Sequence, residues 1–362
     1  MVLSDVSTPT LIMSKAKTLA NIEAIKSRCD RQSLDFRPHF KTHQSKEVGR
    51  WFRQSGTTKI TVSSVDMANY FAMDGWKDIL IAFPFNPREY NKIHTLAKSV
   101  KLTLTVPCYE SARILSELSS VNLDIMIKID AGYGRSGFRY EDTGSIIKTI
   151  KTLEKNDMLN VSGLLCHSGD TYKALNTDEI KMIYDNSVSR LANCRELTER
   201  DYLKISMGDT PSASIMSDFG AADELRPGNF VFYDLMQYFL GSCSLNNISI
   251  AVACPIVEIQ DKRKKIVIYG GAVHLSKEFI IHNGEQVYGL AVKLNEDGWE
   301  FFERDIYINS LSQEHGIIKS DTPLPEEFYI GNIIGIIPVH SCLTANLLGS
   351  YTLLDNTVID HM

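Results

Sequence analysis

From about residue 35 to 235 the chain alternates short apolar runs with longer stretches whose apolar positions recur every three or four residues. The short runs Arg37–Thr42, Lys59–Ser64, Asp78–Phe83, Lys101–Val106, Leu123–Asp130, Val161–His167, Tyr202–Met207 and Glu224–Phe232 have the length and composition of strands. Between them Val65–Asp74, Pro87–Ser99, Tyr109–Ser119 and Thr177–Thr198 carry a helical stripe, the last with Thr177 and Glu179 suited to a capped start. A further helix, Lys15–Cys29, precedes the series with Ala16, Leu19, Ile22 and Ile25 on one face. Eight strand–helix alternations predict an α/β chain whose parallel strands close into a (β/α)8 TIM-type barrel. After about residue 245 the period changes. Ile248–Ile259, Lys265–Tyr269, Gln286–Leu294 and Asn332–Pro338 read as strands, with turns at Asn283-Gly284 and Glu296-Asp297-Gly298. The expected division is a barrel over residues 1–245 and a C-terminal β-rich domain over 246–362.

Composition narrows the function classes. With 44% hydrophobic and 23% charged residues the chain has the balance of a soluble globular protein. A net charge of −6 argues against nucleic acid or an anionic membrane as the main partner. No apolar stretch approaches the roughly 20 residues that cross a bilayer, and the N-terminus lacks the pattern of a signal peptide. The seven cysteines are scattered and form no Cys-x-x-Cys pair, which speaks against a disulfide framework and for a cytoplasmic location.

A barrel of this type collects functional groups at the C-terminal ends of its strands. The first such end reads Arg37-Pro38-His39-Phe40-Lys41-Thr42-His43. Strand alternation would place His39, Lys41 and His43 on one face, and neighbouring imidazoles with burial would lower the lysine's pKa and make it a nucleophile toward an aldehyde. A solvated basic patch is an equal reading of the same residues. The fifth end, Asp130-Ala131-Gly132-Tyr133-Gly134-Arg135-Ser136-Gly137, is glycine-rich and would leave Arg135 free to orient an oxygen or a ring nitrogen; alone it reads as a surface loop. The last three ends contain His167-Ser168-Gly169, then Ser206, Gly208 and Thr210, then Gly228 and Asn229. Hydroxyls and open backbone N–H groups in consecutive late positions suit a phosphate monoester. In the β-rich part, Pro338-Val339-His340-Ser341-Cys342 places an imidazole and a thiol two residues apart, a zinc-like donor pair if the segment is extended; a buried structural pair is the commoner meaning of so short a motif. His274 reads as a structural residue or a further pocket residue.

Taken in order, these segments resemble the fold-type III enzymes that use pyridoxal 5′-phosphate (PLP), the alanine racemase-like group. They are most similar to its branch of D-serine dehydratases and D-threonine aldolases. The similarity runs from about Thr8 to Leu347. The Arg-Pro-His-x-Lys-Thr-His run is its most specific part and implies PLP held as a Schiff base on Lys41, with His39 beside it. The resemblance further implies cofactor contacts from Arg135, His167 and Tyr172, a phosphate loop at Ser206, Gly208 and Thr210, and a homodimer. It also implies a divalent metal on His340 and Cys342. A cysteine in that pair resembles the zinc-using dehydratases, whereas the aldolases carry aspartate and a harder ion; manganese and magnesium are the alternatives to zinc. Gly271-Ala272-Val273-His274-Leu275-Ser276 departs from the Asp-Ala-Gly-x-x-Ala-Leu-Ser pattern of the branch, which leaves the substrate's side chain open.

What the resemblance implies chemically is elimination from a D-3-hydroxy amino acid. Lys41 would remove the Cα proton and the metal would help the β-hydroxyl leave, giving a 2-keto acid and ammonia. The alternative within the branch is retro-aldol cleavage with His43 or a metal-bound hydroxide as base. Racemisation is a third chemistry, and a non-catalytic PLP-binding protein is the reading from another class. The extra domain of roughly 115 residues with its His-x-Cys pair weighs against the last.

Overall fold

The computed structural model describes residues 5–362. The chain forms two compact units, one of residues 23–41 and 48–228, the other of the N-terminal segment to Ile22, Thr42–Glu47 and Asn229–Met362.

Strand β1 (Thr10–Met13) and helix α1 (Lys15–Arg31) begin the chain. The strands that follow are β2 (Asp35–Phe36), β3 (Lys59–Val62), β4 (Asp78–Pro84), β5 (Lys101–Val106), β6 (Leu123–Asp130), the two-residue β7 (Phe138–Arg139), β8 (Leu159–Cys166), β9 (Lys204–Met207) and β10 (Glu224–Leu225). Helices α2 (Lys46–Gln54), α3 (Val65–Met73), α4 (Tyr90–Ala97), α5 (Tyr109–Leu118), α6 (Thr143–Leu153), α7 (Thr177–Leu197) and α8 (Thr210–Ile215) alternate with them. Eight parallel strands pair in the order β2-β10-β9-β8-β6-β5-β4-β3. The ends of that path meet through a single bridge, His39 to Thr61, where Phe40 N–H donates to the Thr61 carbonyl at 2.8 Å. The fold is a nearly closed (β/α)8 barrel with a C-terminal β-rich domain.

Local sequence explains the helices. Ser64 caps α3 by accepting from Met67 N–H, and Val65, Met67, Ala68 and Phe71 face inward. Asn176, one residue before the expected start, caps α7 by accepting from Glu179 N–H. Leu80, Met126 and Leu165 form an apolar cluster in the barrel. A polar chain is buried with them: Arg37 Nε donates to Glu224 at 2.7 Å, its Nη1 to Asp78 at 2.6 Å, and Glu224 accepts from the Ser206 hydroxyl at 2.6 Å. Burial alone would raise the Glu224 pKa, but the Arg37 charge and hydrogen bonds outweigh it and hold the carboxyl below the usual range. Replacing Arg37 with Ala is expected to cost about 3–5 kcal/mol in urea unfolding, because it strands a buried charge. In the wild type this contribution is present above the ordinary carboxylate pKa and is lost as pH falls through the depressed folded value.

In the other unit β11 (Ile250–Gln260) is central. It pairs antiparallel with β1, with β12 (Lys265–Tyr269) and with Ile333–Pro338, while β1 also runs parallel to Ser350–Leu353. Ile12 and Met13 are fully buried there.

Three sequence expectations need correction. The first barrel strand stops at Phe36 and the eighth at Leu225 rather than reaching Thr42 and Phe232. Pro38 and Pro227 cannot donate to a ladder, and the regular strands end before each. His39, Lys41 and His43 therefore do not share a strand face: Lys41 is exposed, His39 is partly buried, and His43 is wholly buried in the other unit. Finally, the extended segment ends at His340, so His340 and Cys342 do not share a strand face. Helix Ser341–Leu348 starts there with His340 as its N-cap residue.

Candidate active site

In the barrel unit Lys41 follows an anchored aromatic. The Phe40 ring is fully buried, 5.0 Å from Phe52, 4.9 Å from Phe71 and 5.1 Å from Trp76 between centroids, the last two edge-on. His39 N–H donates to the Pro227 carbonyl at 2.8 Å. The backbone is thus anchored immediately before the exposed Lys41. At the end of β6 the Asp130 carboxylate accepts from Gly132 and Gly134 N–H, each at 3.0 Å. Gly132, Gly134 and Gly137 all have positive φ, and the loop carries Arg135 outward over the Tyr133 ring, 5.3 Å from its centroid.

His167, after β8, lies 6.0 Å from Tyr133 and from Tyr172 between ring centroids. Its Nδ1 donates to the Gly208 carbonyl. Burial, then the charges of Arg135, Lys128 and Lys41, push its pKa well below the ordinary value, so the ring is neutral. The Tyr172 hydroxyl accepts from Thr210 N–H at 3.1 Å. Beneath Gly208 lies Arg226, fully enclosed, whose Nε donates to the Ser206 hydroxyl at 2.6 Å and whose Nη2 donates to the Cys166 carbonyl. Burial lowers its pKa to about 10 and that of Lys128 to about 8.

In the other unit Asp234 organises the His340–Cys342 segment. One carboxylate oxygen accepts from Ser341 N–H at 2.9 Å, the Ser341 hydroxyl at 3.2 Å and the Asn229 amide at 2.6 Å. The His340 side chain is hydrogen-bonded to Cys342, and its Nδ1 is buried without a hydrogen-bond partner. Burial opposes a charge on this imidazole, yet Cys342, Asp234 and Glu278 together raise its pKa. The Cys342 thiol also contacts the Thr42 hydroxyl at 3.4 Å. His43 is a buried neutral ring, pushed down to about 3 first by burial; its carbonyl accepts from the Tyr351 hydroxyl at 2.6 Å. His274 accepts from Gly271 N–H at 3.2 Å, a structural bond within its own turn.

Residues 14–235 match the family model described as alanine racemase, N-terminal domain, and residues 249–354 match that of a putative serine dehydratase domain. The chain belongs to the alanine racemase N-terminal domain family. D-serine dehydratase of Dictyostelium discoideum is 28% identical over 380 residues, spanning 98% of this chain and 95% of that protein. D-threo-3-hydroxyaspartate dehydratase of Delftia sp. strain HT23 is 24% identical, spanning 96% and 94%. Its solved structure matches with a TM-score of 0.91 at 23% identity, covering 99% of this chain and 98% of that one. D-threonine aldolase of an Arthrobacter species is 22% identical, spanning 99% and 92%. Solved structures of the hydroxyaspartate dehydratase include a histidine-to-alanine mutant and a cysteine-to-alanine mutant in a metal-free form. Those two positions lie two residues apart, as His340 and Cys342 do here.

The family implies PLP, and the barrel residues fit it. The Ser168 hydroxyl is buried without a hydrogen-bond partner beside the Gly208 loop, as a donor awaiting an anion would be. A Cβ on Gly208 would stand 3.0 Å from the Arg226 guanidinium, which is itself pinned by Ser206 and Cys166. Gly208→Ala is accordingly expected to weaken PLP binding by about tenfold or more, at an overpacking cost of ~1–3 kcal/mol, measured by fluorescence titration of the cofactor-free protein. The donor chemistry of His340 and Cys342 fits one soft or borderline ion. Among the described residues no group of three or more His, Cys, Asp or Glu is arranged to hold a metal, so other positions would be filled by water or substrate.

Sequence reading passed over Lys128, Asp209, Arg226 and Asp234. Arg226 had a signal, since it stands at a strand end before Pro227-Gly228. Asp234 had none, because its role exists only once Ser341 begins a helix.

Proposed function

We propose that this chain is a lyase of D-3-hydroxy amino acids, a D-serine or D-threonine dehydratase that yields a 2-keto acid and ammonia. Lys41 holds PLP, and His340 with Cys342 holds a divalent ion, zinc by donor softness. The observation that carries the choice of elimination over retro-aldol cleavage is the thiol at position 342, hydrogen-bonded to His340 beside a buried nitrogen with no other partner. The dehydratases among the relatives support it.

When bound, PLP supplies an electron sink for negative charge at Cα and the metal a Lewis acid for the β-hydroxyl. The protein's own groups do the rest. Lys41, exposed on a fixed backbone, can reach an aldehyde and then, as a free amine, take the Cα proton. His167 stays uncharged against its flanking tyrosines, so it presents a flat neutral face. The Arg135 guanidinium, with its planar fork of donors, orients an oxygen anion. Gly208, Thr210 and Tyr172, with Ser168, serve the phosphate, whereas the Ser206 hydroxyl is spent on Glu224 and Arg226 and the Asn229 side-chain N–H groups on Asp234 and Ser341. The same reading makes the protein a cytoplasmic homodimer.

The test is product analysis with D-serine and D-threonine, PLP present and zinc or manganese supplied in turn. Pyruvate or 2-oxobutyrate with ammonia is the expected result. Glycine and acetaldehyde from D-threonine would replace this reading with the aldolase, and turnover of neither substrate would remove it.

A further inference from the structure

The Gly208 loop contains an acid that its proposed task does not need. Asp209 is 5% exposed and caps α8: Oδ1 accepts from Ser212 N–H at 2.6 Å and from the Thr171 hydroxyl at 3.3 Å. Thr210 N–H is taken by Tyr172, and Pro211 has no N–H. The carboxylate therefore occupies the start of α8, between the residues that would receive a phosphate. Two anions in one dry loop repel strongly.

The groups facing Asp209 do not cancel its charge. Arg226 is the cation that acts on it, and it is bonded to Ser206 and Cys166 rather than to Asp209. Tyr184 from α7 and Cys166 from β8 are both held protonated by burial, and His167 is neutral. Burial accordingly lifts the Asp209 pKa to about 6 even without a phosphate nearby.

Resting on the reading of this loop as the phosphate site, we propose that Asp209 takes up a proton from solvent when the cofactor's phosphate binds, so that cofactor affinity falls as pH rises. A neutral carboxyl keeps the cap on Ser212 and removes the repulsion. At pH 7 about one Asp209 in ten is already neutral, so the ionised form should weaken binding by roughly tenfold.

The experiment titrates the cofactor-free full chain with pyridoxine 5′-phosphate, which has no aldehyde and binds without Lys41. Calorimetry at pH 7 in two buffers of different ionisation enthalpy gives the protons exchanged. The wild type should take up more protons than Asp209→Asn by nearly one, and Asp209→Asn should bind about tenfold more tightly, with the gap closing below pH 6. Asn is itself a good cap, and Asp209→Ser, a neutral cap of another shape, should behave alike if the charge is what matters. Equal proton uptake in wild type and Asp209→Asn, or unchanged or weaker affinity in both variants, overturns the proposal. Absence of binding to the wild type would instead fail the phosphate-site reading, and the proposal with it.

Discussion

Lys41→Ala protein should bind PLP yet lack the visible absorption of a lysine-linked cofactor, and should lose turnover by at least about 10²–10⁴-fold, the range for loss of a positioned base. The rival amine is Lys128. It is 6% exposed, its pKa is lowered to about 8 first by burial, and it sits in the same unit. A lowered pKa makes Lys128 a candidate nucleophile at neutral pH. Access decides against it. Its Nζ donates to the Ile129 carbonyl at 3.2 Å within the packed interior, whereas Lys41 is exposed on a backbone held by Phe40 and His39. The Lys128→Ala spectrum should therefore keep the band. A band that survives Lys41→Ala and disappears in Lys128→Ala would move the Schiff base to the buried amine. A soluble primary amine should restore part of the Lys41→Ala activity, because the missing element is a proton carrier rather than a packed side chain.

The contrast between these lysines shows what a linear sequence can carry. Lys59–Val62, Lys101–Val106 and Leu123–Asp130 were legible as strands because each is a short apolar run bounded by turn residues, and the barrel followed from their alternation with helices. Thr10–Met13 was not legible: four apolar residues show no period, and what makes them a strand is pairing with a segment about 240 residues away. Lys41 was singled out by its motif, but the strand face invoked for its reactivity is absent, since strand alternation ends at Phe36 and the burial falls on His43 instead. The His340–Cys342 pair was likewise singled out for its spacing on an extended segment, and the extended conformation does not hold beyond His340. An N-cap residue and the second residue of a helix can meet as well as two residues on one strand face. The supports, Arg226 under Gly208 and Asp234 under Ser341, depend on tertiary neighbours and left no local pattern.

Cys342→Ala should abolish elimination while leaving the PLP spectrum unchanged, which separates the metal from the cofactor. The structural reason is that no other described His, Cys, Asp or Glu cluster could replace the lost thiol. Removal of a ligand should weaken zinc binding by more than the ~10–100-fold that loss of a supporting hydrogen-bond partner costs. Asp234→Asn supplies that milder comparison, because it leaves both ligands in place and weakens the bonds that fix Ser341 and Asn229 between them. The graded pair matters. A purely structural role for Cys342 would lower thermal stability in both variants without shifting the zinc titration, whereas a ligand role shifts the titration in the order Cys342→Ala beyond Asp234→Asn. Cys342→Asp carries the argument to specificity: a hard oxygen replaces a soft sulfur, so the preferred ion should move from zinc toward manganese. Chelation of the wild type should remove activity and zinc together and leave PLP in place. Full turnover after complete metal removal would leave His340 and Cys342 as a packed hydrogen-bonded pair and return the departure of hydroxide to Lys41 and its neighbours.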